Sequence, residues 1–384
     1  MIYSFVALAD IHWGAMNAAE LYDHLNLVTE FIKKKSPHFV VICGDYFDYR
    51  LQLNSRTALT AIKWFDEFIT ICKNNNVKKV RIFKGTPEHD NNQLEVFRKY
   101  EKDDDNFFKL FNTTTSEELL PDLRVVYCPD ENMTMDEYIR TYNKEFNYNN
   151  NIGFFHGNFD VLLPDIEIDR IVKHHIRTMI YQYGLYSKMI YGPLISGHWH
   201  NPIEYKSLYC IGSFDRWKFG EEEEKSFIYG EYNTETNKFY IKRIINPLAK
   251  KYTTIVYENS AIKNIDDFNK IDSDIKELLS KDCNVRVMYI VDDMSDENMV
   301  NFESLQKLYK NKNVVFSLKD LNKKKRIKEK LNQSNTDIIS KDYEYILSKD
   351  IEEIPLIIQR YIKQKKDVDV DVKTIKRYVD KYLK

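Results

Sequence analysis

Five of the nine histidines in this 384-residue chain lie in short groups whose side chains are typical metal ligands. The most compact group is the pair His198 and His200, because an H-x-H spacing can turn both imidazoles toward one small volume. Upstream, carboxylates and further histidines recur at intervals. These residues are Asp10 with His12, Asp45 with Asp48, Glu88 with His89 and Asp90, and His156.

The candidate ligands combine carboxylate oxygens with imidazole nitrogens and include no thiolate. Such a set suits Mn²⁺, Fe²⁺ or Zn²⁺ better than Ca²⁺ or Mg²⁺. It is too large for one tetrahedral ion but sufficient for two, provided that one carboxylate, Asp45, bridges them. Two divalent ions ~3.5–4 Å apart form a clamp for phosphoryl chemistry. The candidates are Asp10, His12, Asp45, Glu88, His156, His198 and His200.

A leaving alkoxide needs a proton, and His89 is the candidate donor because a histidine titrates near neutral pH. Simpler interpretations exist for single residues. Asp45 or Asp48 could cap a helix, and His156 could be a core residue whose hydrogen bonds are satisfied. Because most of these groups follow a short apolar run, their joint occurrence favours a dinuclear metal centre.

The apolar runs predict the strands that would position these groups, and amphipathic helices fall between them. This alternation predicts a layered α/β domain, with the site at the carboxyl ends of the strands. By contrast, Tyr100–Leu120 predicts a surface loop or an insertion near the site entrance. The predicted strands include Ile2–Leu8, His38–Cys43, Val80–Phe83, Ile152–Gly157 and Met189–Ser196, and the first helices are Leu21–Lys35 and Thr57–Lys73.

The composition changes near residue 250, which predicts two domains, 1–250 and 251–384. Beyond residue 250 there are 27 basic against 24 acidic side chains, compared with 30 against 35 before it. The second part contains the basic run Lys323–Lys328, which is either a phosphate-binding patch or a solvated helix face. The last residues of the chain predict an amphipathic helix, with an apolar stripe at Val372, Ile375, Val379 and Tyr382. This stripe could dock either on a partner or on the helix's own domain.

The five cysteines are scattered and form no CxxC motif, which indicates reduced thiols in an intracellular protein. The start of the chain lacks a basic leader, and no apolar run is long enough to span a bilayer. We therefore expect a cytoplasmic protein without a membrane partner. The net charge of −2 means that any contact with nucleic acid must use a local patch.

As a series, the groups D-x-H, G-D-x-x-D, a glycine-led turn with H-D, H-G and G-H-x-H resemble the calcineurin-type metallophosphoesterase superfamily. A second segment, Gly212–Phe227, is similar to G-S-x-x-R-x-x-F-G-E-E-x-E-K-x-F of the SbcD-type DNA repair nucleases. The resemblance covers residues 1 to about 245. It implies an α/β four-layer sandwich of two mixed β-sheets flanked by helices, followed by an α+β capping region and terminal helices.

The resemblance also implies a role for each residue. One ion would be held by Asp10, His12, Asp45 and His200, and the other by Asp45, Glu88, His156 and His198, with His89 catalytic and Asp48 and Asp90 supporting. The implied cofactors are two divalent ions, Mn²⁺ first, with Fe²⁺ or Zn²⁺ as alternatives. The implied partners are DNA and an SbcC-type ABC ATPase bound through the C-terminal region, with a possible homodimer. A phage origin is compatible with the composition, as is a bacterial one.

One segment departs from the family pattern G-N-H-D/E, in which Asn is a neutral ligand. The chain has Gly85–Asp90, two residues longer and without that Asn, and Glu88 precedes His89. Either Glu88 binds metal in an altered site, or it points away and another group takes the position. Three functions follow: a DNA nuclease, a phosphoesterase acting on small phosphodiesters or phosphoproteins, or a non-catalytic partner protein silenced by the Glu88 change.

Overall fold

The computed structural model describes residues 1–102, 106–146, 150–164, 168, 179–258, 265–291, 303–310, 312–320, 359 and 371–376. Its helices of seven residues or more are α1 (Ala18–Lys35), α2 (Arg56–Asn74), α3 (Met135–Phe146), α4 (Tyr183–Met189) and α5 (Ile265–Ser280). Short 3-10 helices span Gln93–Lys102 and Asp160–Leu162.

Seventeen strands are formed by the described residues. The first nine are β1 (Ile2–Leu8), β2 (Phe39–Cys43), β3 (Lys79–Phe83), β4 (Phe108–Phe111), β5 (Thr115–Leu120), β6 (Leu123–Cys128), β7 (Ile152–His156), β8 (Asn158–Phe159) and β9 (Ile180–Tyr181). The others are β10 (Leu194–Gly197), β11 (Ile203–Tyr205), β12 (Leu208–Cys210), β13 (Ser226–Asn233), β14 (Phe239–Ile245), β15 (Lys251–Glu258), β16 (Cys283–Val291) and β17 (Val314–Asp320).

Two six-stranded mixed sheets form the centre of the fold. The first has the order β14-β13-β1-β2-β3-β4, in which β1 to β4 are parallel, β13 is antiparallel to β1, and β14 is antiparallel to β13. The second has the order β11-β12-β10-β7-β6-β5, with β12, β10, β7 and β6 parallel. Each sheet therefore has a set of parallel strands whose carboxyl ends lie along one edge.

Alternating side chains along the central strands divide the core into layers. In β1, Phe5 packs between the two sheets and meets Phe154 of β7 edge to face at 5.7 Å, while Val6 points to the layer of α1 and α2. On the far side, α3 and α4 pack against the second sheet through residues such as Tyr138 and Tyr186. This four-layer α/β/β/α arrangement confirms the predicted fold class.

The prediction of a loop over Tyr100–Leu120 is wrong. The segment supplies the end of a 3-10 helix and then β4 and β5, which are edge strands of the first and second sheet respectively. The segment therefore contributes one strand to each of the two large sheets. The polar run Thr115–Leu120 suits an edge because only one side of that strand is paired.

A third sheet of three strands, β15-β16-β17, follows the two large ones along the chain. The chain divides into two compact units, the first made of Met1–Ile255, Asn269–Val287 and Tyr309–Val315, and the second of the remaining residues. Both six-stranded sheets belong to the first unit. The division of the chain into domains at residue 250 stays a prediction.

Parts of the C-terminal predictions lie outside the described residues, namely the basic run Lys323–Lys328 and the apolar-stripe positions Val379 and Tyr382. Within the described part of that stripe, residues 372–376 are helical. Among all the described residues, no helix is long and apolar enough to cross a membrane.

Candidate metal centre

The predicted ligands lie just past the carboxyl ends of strands from both sheets. Asp10 and His12 follow β1, Asp45 follows β2, and His156 and His198 end or follow β7 and β10. Backbone bonds tie the loops together, with Asp10 N–H donating to the Gly44 carbonyl (3.2 Å) and His12 N–H to that of Asp45 (3.0 Å). The loops of the first sheet are thus bonded to one another directly.

Four of these ligand candidates have left-handed backbones. The φ angles are 51° at Asp10, 53° at His12, 49° at Asp45 and 78° at His198. A residue with a Cβ rarely adopts such angles, and each costs on the order of 1–3 kcal/mol. The turn at each strand end aims the side chain at the other candidate ligands, and backbone hydrogen bonds between the loops hold these turns.

Two glycines make this convergence of loops possible. A Cβ on Gly44, where φ is 78°, would overlap the ring of His156 and come within 2.6 Å of the Gly85 Cα. A Cβ on Gly85 would in turn overlap the backbone and carboxylate of Asp45. Only residues without a side chain allow the β2 loop to approach His156, and the β3 loop to approach Asp45, this closely.

The first ligand group consists of Asp10, His12 and His200, whose ligand atoms lie within 4.8 Å of one another. The Nε2 atoms of His12 and His200 are 3.1 Å apart. Two imidazole nitrogens at this distance repel unless a proton or a cation lies between them, so the pair fits a metal ion. Both oxygens of Asp10 also accept the backbone N–H of His198 at 3.0 Å, which links this group to β10.

The second ligand group consists of Asp45, His156 and His198. Asp45 Oδ2 lies 3.2 Å from His156 Nε2 and 3.9 Å from His12 Nε2, so one carboxylate oxygen faces both groups. This is the position that a bridging ligand would occupy between two ions. Asp45 and His156 are almost fully buried, which strengthens their electrostatic interaction.

A third group, His12, Asp48 and His89, shares His12 with the first. Asp48 Oδ1 lies 3.1 Å from His12 Nδ1, within ion-pair distance although the angle is not that of a hydrogen bond. His89 Nδ1 contacts the Asp48 backbone carbonyl. This contact occupies Nδ1, so Nε2 is the ring nitrogen of His89 that is available for proton transfer.

Two other histidines are held in a defined tautomer. His156 Nδ1–H donates to the Cys43 carbonyl (2.8 Å), and His200 Nδ1–H donates to Glu221 Oε1 (2.8 Å). In each ring Nε2 is then the nitrogen directed toward its ligand group. Hydrogen bonds of this kind orient metal-binding histidines and increase their basicity.

The buried charges shift the pKa values of these residues strongly. Although burial favours the neutral ring, the adjacent Asp45 raises the pKa of His156 to about 10. Burial opposes the ionisation of Asp45, yet His156 and the other histidines hold its pKa below the ordinary value of 3.8. Burial and the neighbouring His156 lower the pKa of His198 to about 4. Opposite charges are thus paired at the position where cations would bind.

Asp90 connects the loops after β2 and β3. Its two oxygens accept the backbone N–H groups of Phe47 (3.0 Å) and Gly85 (2.8 Å), and the side chain is fully buried. Burial and the nearby Asp45 raise the pKa of Asp90 to about 6. Its contacts hold the two loops together, and its supporting role in catalysis stays a prediction.

Glu88 is the one predicted ligand that the structure does not bring to the centre. Its side chain is exposed, and it belongs to none of the three ligand groups found among the described residues. Thr86 occupies the space instead, with its hydroxyl oxygen 3.2 Å from Asp45 Oδ2. The altered turn therefore offers a neutral oxygen rather than a carboxylate.

Sequence reasoning missed four residues that contact the ligands, namely Thr86, Asn158, Glu221 and Lys225. The Asn158 amide lies 3.2 Å from His198 Nε2, and Lys225 Nζ donates to the His200 carbonyl (2.9 Å) and to Glu221 Oε2 (3.1 Å). Glu221 and Lys225 belong to the Gly212–Phe227 segment, so their motif was recognised although their target was not. No pattern in the sequence indicates Asn158.

A cavity of about 430 Å³ opens beside the two ligand groups. Oxygen and imidazole nitrogen atoms that could bind a metal line this cavity, together with a lysine that adds positive charge. The lining includes Asp45, Thr86, His89, Asn158, His198 and Lys218. Two carboxylates, four imidazoles and open volume beside them fit a pair of divalent ions that bind an anionic ligand.

Comparison with known proteins gives one family. A family model described as calcineurin-like phosphoesterase matches residues 3–230. No curated protein matches the chain. Among solved structures, the chain is similar to a glutamine-dependent NAD⁺ synthetase from Acinetobacter baumannii in complex with ADP, at 8% identity over 90% of this chain and 71% of that one. The TM-score of 0.33 is too low to support any argument.

Proposed function

We propose, from the premise that the chain belongs to the calcineurin-like phosphoesterase family, that it is a DNA nuclease which works with an SbcC-type ABC ATPase. The family hydrolyses phosphoesters with divalent metal ions, typically two, and the chain has the candidate ligand groups for them. The substrate, the partner and the identity of the metal are the proposed part.

The observation that carries phosphodiester chemistry is the shared carboxylate of Asp45. Because its Oδ2 faces both His12 and His156, the two ligand groups lie side by side rather than as separate sites. Two divalent ions held there would supply Lewis acidity to a phosphoryl group and activate a water molecule. The oxygen and imidazole donors suit Mn²⁺, which we propose as the metal.

The residues around the ions have complementary tasks. His89, held by the Asp48 carbonyl, faces the same cavity as Asp45 and is placed to protonate a leaving alkoxide. Lys218 lines the cavity and adds positive charge for an anionic substrate. Asp90 keeps the two ligand-bearing loops at a fixed distance through its two backbone hydrogen bonds.

The nuclease assignment is supported by the Gly212–Phe227 segment, which is similar to that of SbcD-type enzymes. In the structure this segment packs against the metal centre. Ser213 N–H donates to the His200 carbonyl (3.0 Å), and Glu221 accepts the His200 ring N–H. The segment that resembles the nuclease branch is thus the one that positions a predicted ligand.

The ATPase and a homodimer belong to the proposal through the same resemblance, and a cytoplasmic location belongs to it through the scattered cysteines. The ATPase would dock on the C-terminal region, and DNA would be the substrate. A non-catalytic protein was the alternative motivated by a charged ligand at Glu88. The exposed Glu88 side chain supports the catalytic interpretation, and the assay below separates the two.

The test is Mn²⁺-dependent degradation of end-labelled linear duplex DNA by the purified chain. We expect turnover in the intact chain and a loss of about 100-fold or more in Asp45→Asn and His89→Asn, because a bridging ligand and a proton donor are removed. Glu235→Gln is the matched control, since this carboxylate is exposed in the β13–β14 turn and pairs with the N-terminal amine.

Two results would redirect the proposal. Hydrolysis of bis(p-nitrophenyl) phosphate without cleavage of DNA, even with an SbcC-type partner added, would indicate an enzyme for small phosphodiesters. Bound metal without turnover of either substrate would indicate a non-catalytic protein.

A further inference from the structure

We infer that the Thr86 hydroxyl, not the Glu88 carboxylate, is the neutral oxygen ligand that completes the second ligand group. The inference rests on the proposed two-metal function and concerns the turn in which this chain departs from the G-N-H-D/E pattern. It assigns a metal ligand to a residue that the sequence motifs do not indicate.

The hydroxyl lies among the three members of the second group. Thr86 Oγ1 is 3.2 Å from Asp45 Oδ2, 3.4 Å from His156 Nε2 and 3.5 Å from His198 Nδ1. It therefore contacts one potential ligand atom of every member. An oxygen with this set of neighbours is placed to bind the ion that those atoms would bind.

The backbone of Thr86 is held in place independently of any ion. Its N–H donates to Asp45 Oδ1 (2.6 Å), and its carbonyl accepts the N–H groups of His89 (3.0 Å) and Asp90 (3.1 Å). Gly85, immediately before it, allows the turn to approach Asp45 closely. Pro87 and the exposed Glu88 lie within the turn that these bonds close.

The charge of the centre also favours a hydroxyl. Only two of the six residues in the first and second ligand groups, Asp10 and Asp45, are carboxylates, so two divalent ions with these ligands would carry a net charge of about +2 that attracts a phosphodiester anion. A third carboxylate from Glu88 would reduce that charge and weaken the attraction. The structure keeps Glu88 exposed and brings a neutral oxygen inward.

The two ligand groups should consequently bind with different affinity. The first has Asp10 in addition to the shared Asp45, whereas the second has only the shared carboxylate and a neutral hydroxyl. A neutral oxygen binds a divalent cation less strongly than a carboxylate. The ion that contacts Thr86 is then the weaker of the two.

The first experiment is a Mn²⁺ titration of the full chain by calorimetry, with Thr86→Val, Thr86→Ser and Glu88→Gln compared. We expect two ions in the intact chain, the serine variant and the glutamine variant. Valine has the shape of threonine but no hydroxyl, so Thr86→Val should weaken the second ion at least about tenfold. Circular dichroism verifies that each variant is folded.

A second readout detects the ligand directly. In Thr86→Cys a thiolate replaces the hydroxyl, and thiolates bind soft cations. Addition of Cd²⁺ should produce an ultraviolet sulfur-to-cadmium charge-transfer band that is absent in Thr86→Ser. The five native cysteines are all buried, and the serine variant corrects for them.

The outcomes separate this inference from the proposed function. Two ions of unchanged affinity in Thr86→Val, loss of an ion in Glu88→Gln, or no charge-transfer band in Thr86→Cys would overturn the ligand assignment alone. An intact chain that binds no Mn²⁺ would overturn the two-metal function together with it.

Discussion

At the scale of single residues, the centre depends on groups that hold the ligands as much as on the ligands themselves. Glu221 is 3% exposed and joins His200, Lys225 and the backbone N–H of Trp217. Burial opposes its ionisation, but the His200 hydrogen bond and Lys225 lower the pKa of Glu221 to about 2. The carboxylate is therefore charged at neutral pH and fixes the His200 ring.

We predict that Glu221→Gln weakens Mn²⁺ binding at the first ligand group by about 10- to 100-fold, because the His200 ring loses its charged acceptor. The buried Lys225 also loses its counter-charge, so the free energy of unfolding should fall by a few kcal/mol. Calorimetric titration and urea unfolding measure the two effects. Glu222→Gln, the exposed neighbouring carboxylate, is the control and should change neither.

The sequence predicted the residues that bear donor atoms but not all of those around them. Asp10, His12, Asp45, His156, His198 and His200 are brought together, and their order along the chain was sufficient to group them. The choice between Glu88 and Thr86 could not be made, because it depends on which side of a turn faces inward. That direction is set by contacts with Asp45, a residue 41 positions away.

At the scale of elements, the strand ends are the features that determine the site. Short buried strands such as β2 and β7 were predicted from their apolar runs, and the helices between them from their periodicity. The edge strand β5 was missed because Thr115–Leu120 is mostly polar and its stabilisation comes from pairing with β6. Pairing of this kind is tertiary and leaves little trace in local composition.

A glycine at one strand end allows a direct test of this view. We predict that Gly44→Ala lowers the free energy of unfolding by at least about 1–3 kcal/mol, the cost of a left-handed backbone, and that it displaces His156. Thermal unfolding measures the first effect and Mn²⁺ titration the second. Gly184→Ala is the control.

Gly184 lies in α4, and a Cβ there would meet nothing within 4 Å. Alanine is favoured over glycine in a helix by roughly 0.5–1 kcal/mol, so Gly184→Ala should be neutral or slightly stabilising. Equal thermal midpoints for the two alanine variants would contradict the role that we give to the Gly44 turn.

At the scale of the whole molecule, the metal centre depends on two sheets that the chain forms from distant segments. Strand β1 pairs with β13, so Val6 lies opposite Tyr229, more than 200 residues away. Local patterns predicted the strands but not the sheet that each would join. The centre nevertheless could be anticipated, because each strand carries its ligand at its carboxyl end whichever sheet it enters.

The pairing of buried charges across those sheets predicts a link between protons and metal. Asp45 raises the pKa of His156 from 6.5 to about 10, and Glu221 raises that of His200 against the effect of burial. His156 therefore carries a proton on both ring nitrogens at pH 7 in the metal-free chain. A histidine must lose that proton from Nε2 before it can bind a cation.

We predict accordingly that Mn²⁺ binding at pH 7 releases protons. In addition, since a raised folded-state pKa stabilises the fold below the unfolded value, metal-free stability from His156 should be present below pH 6.5 and decline as the pH rises to about 10. Calorimetry in PIPES and in Tris, whose ionisation enthalpies differ, measures the protons released. His156→Gln should release fewer and should flatten the decline. Equal heats in the two buffers would show instead that the ligands are already deprotonated, and that carboxylates and histidines are not paired as ions across the two sheets.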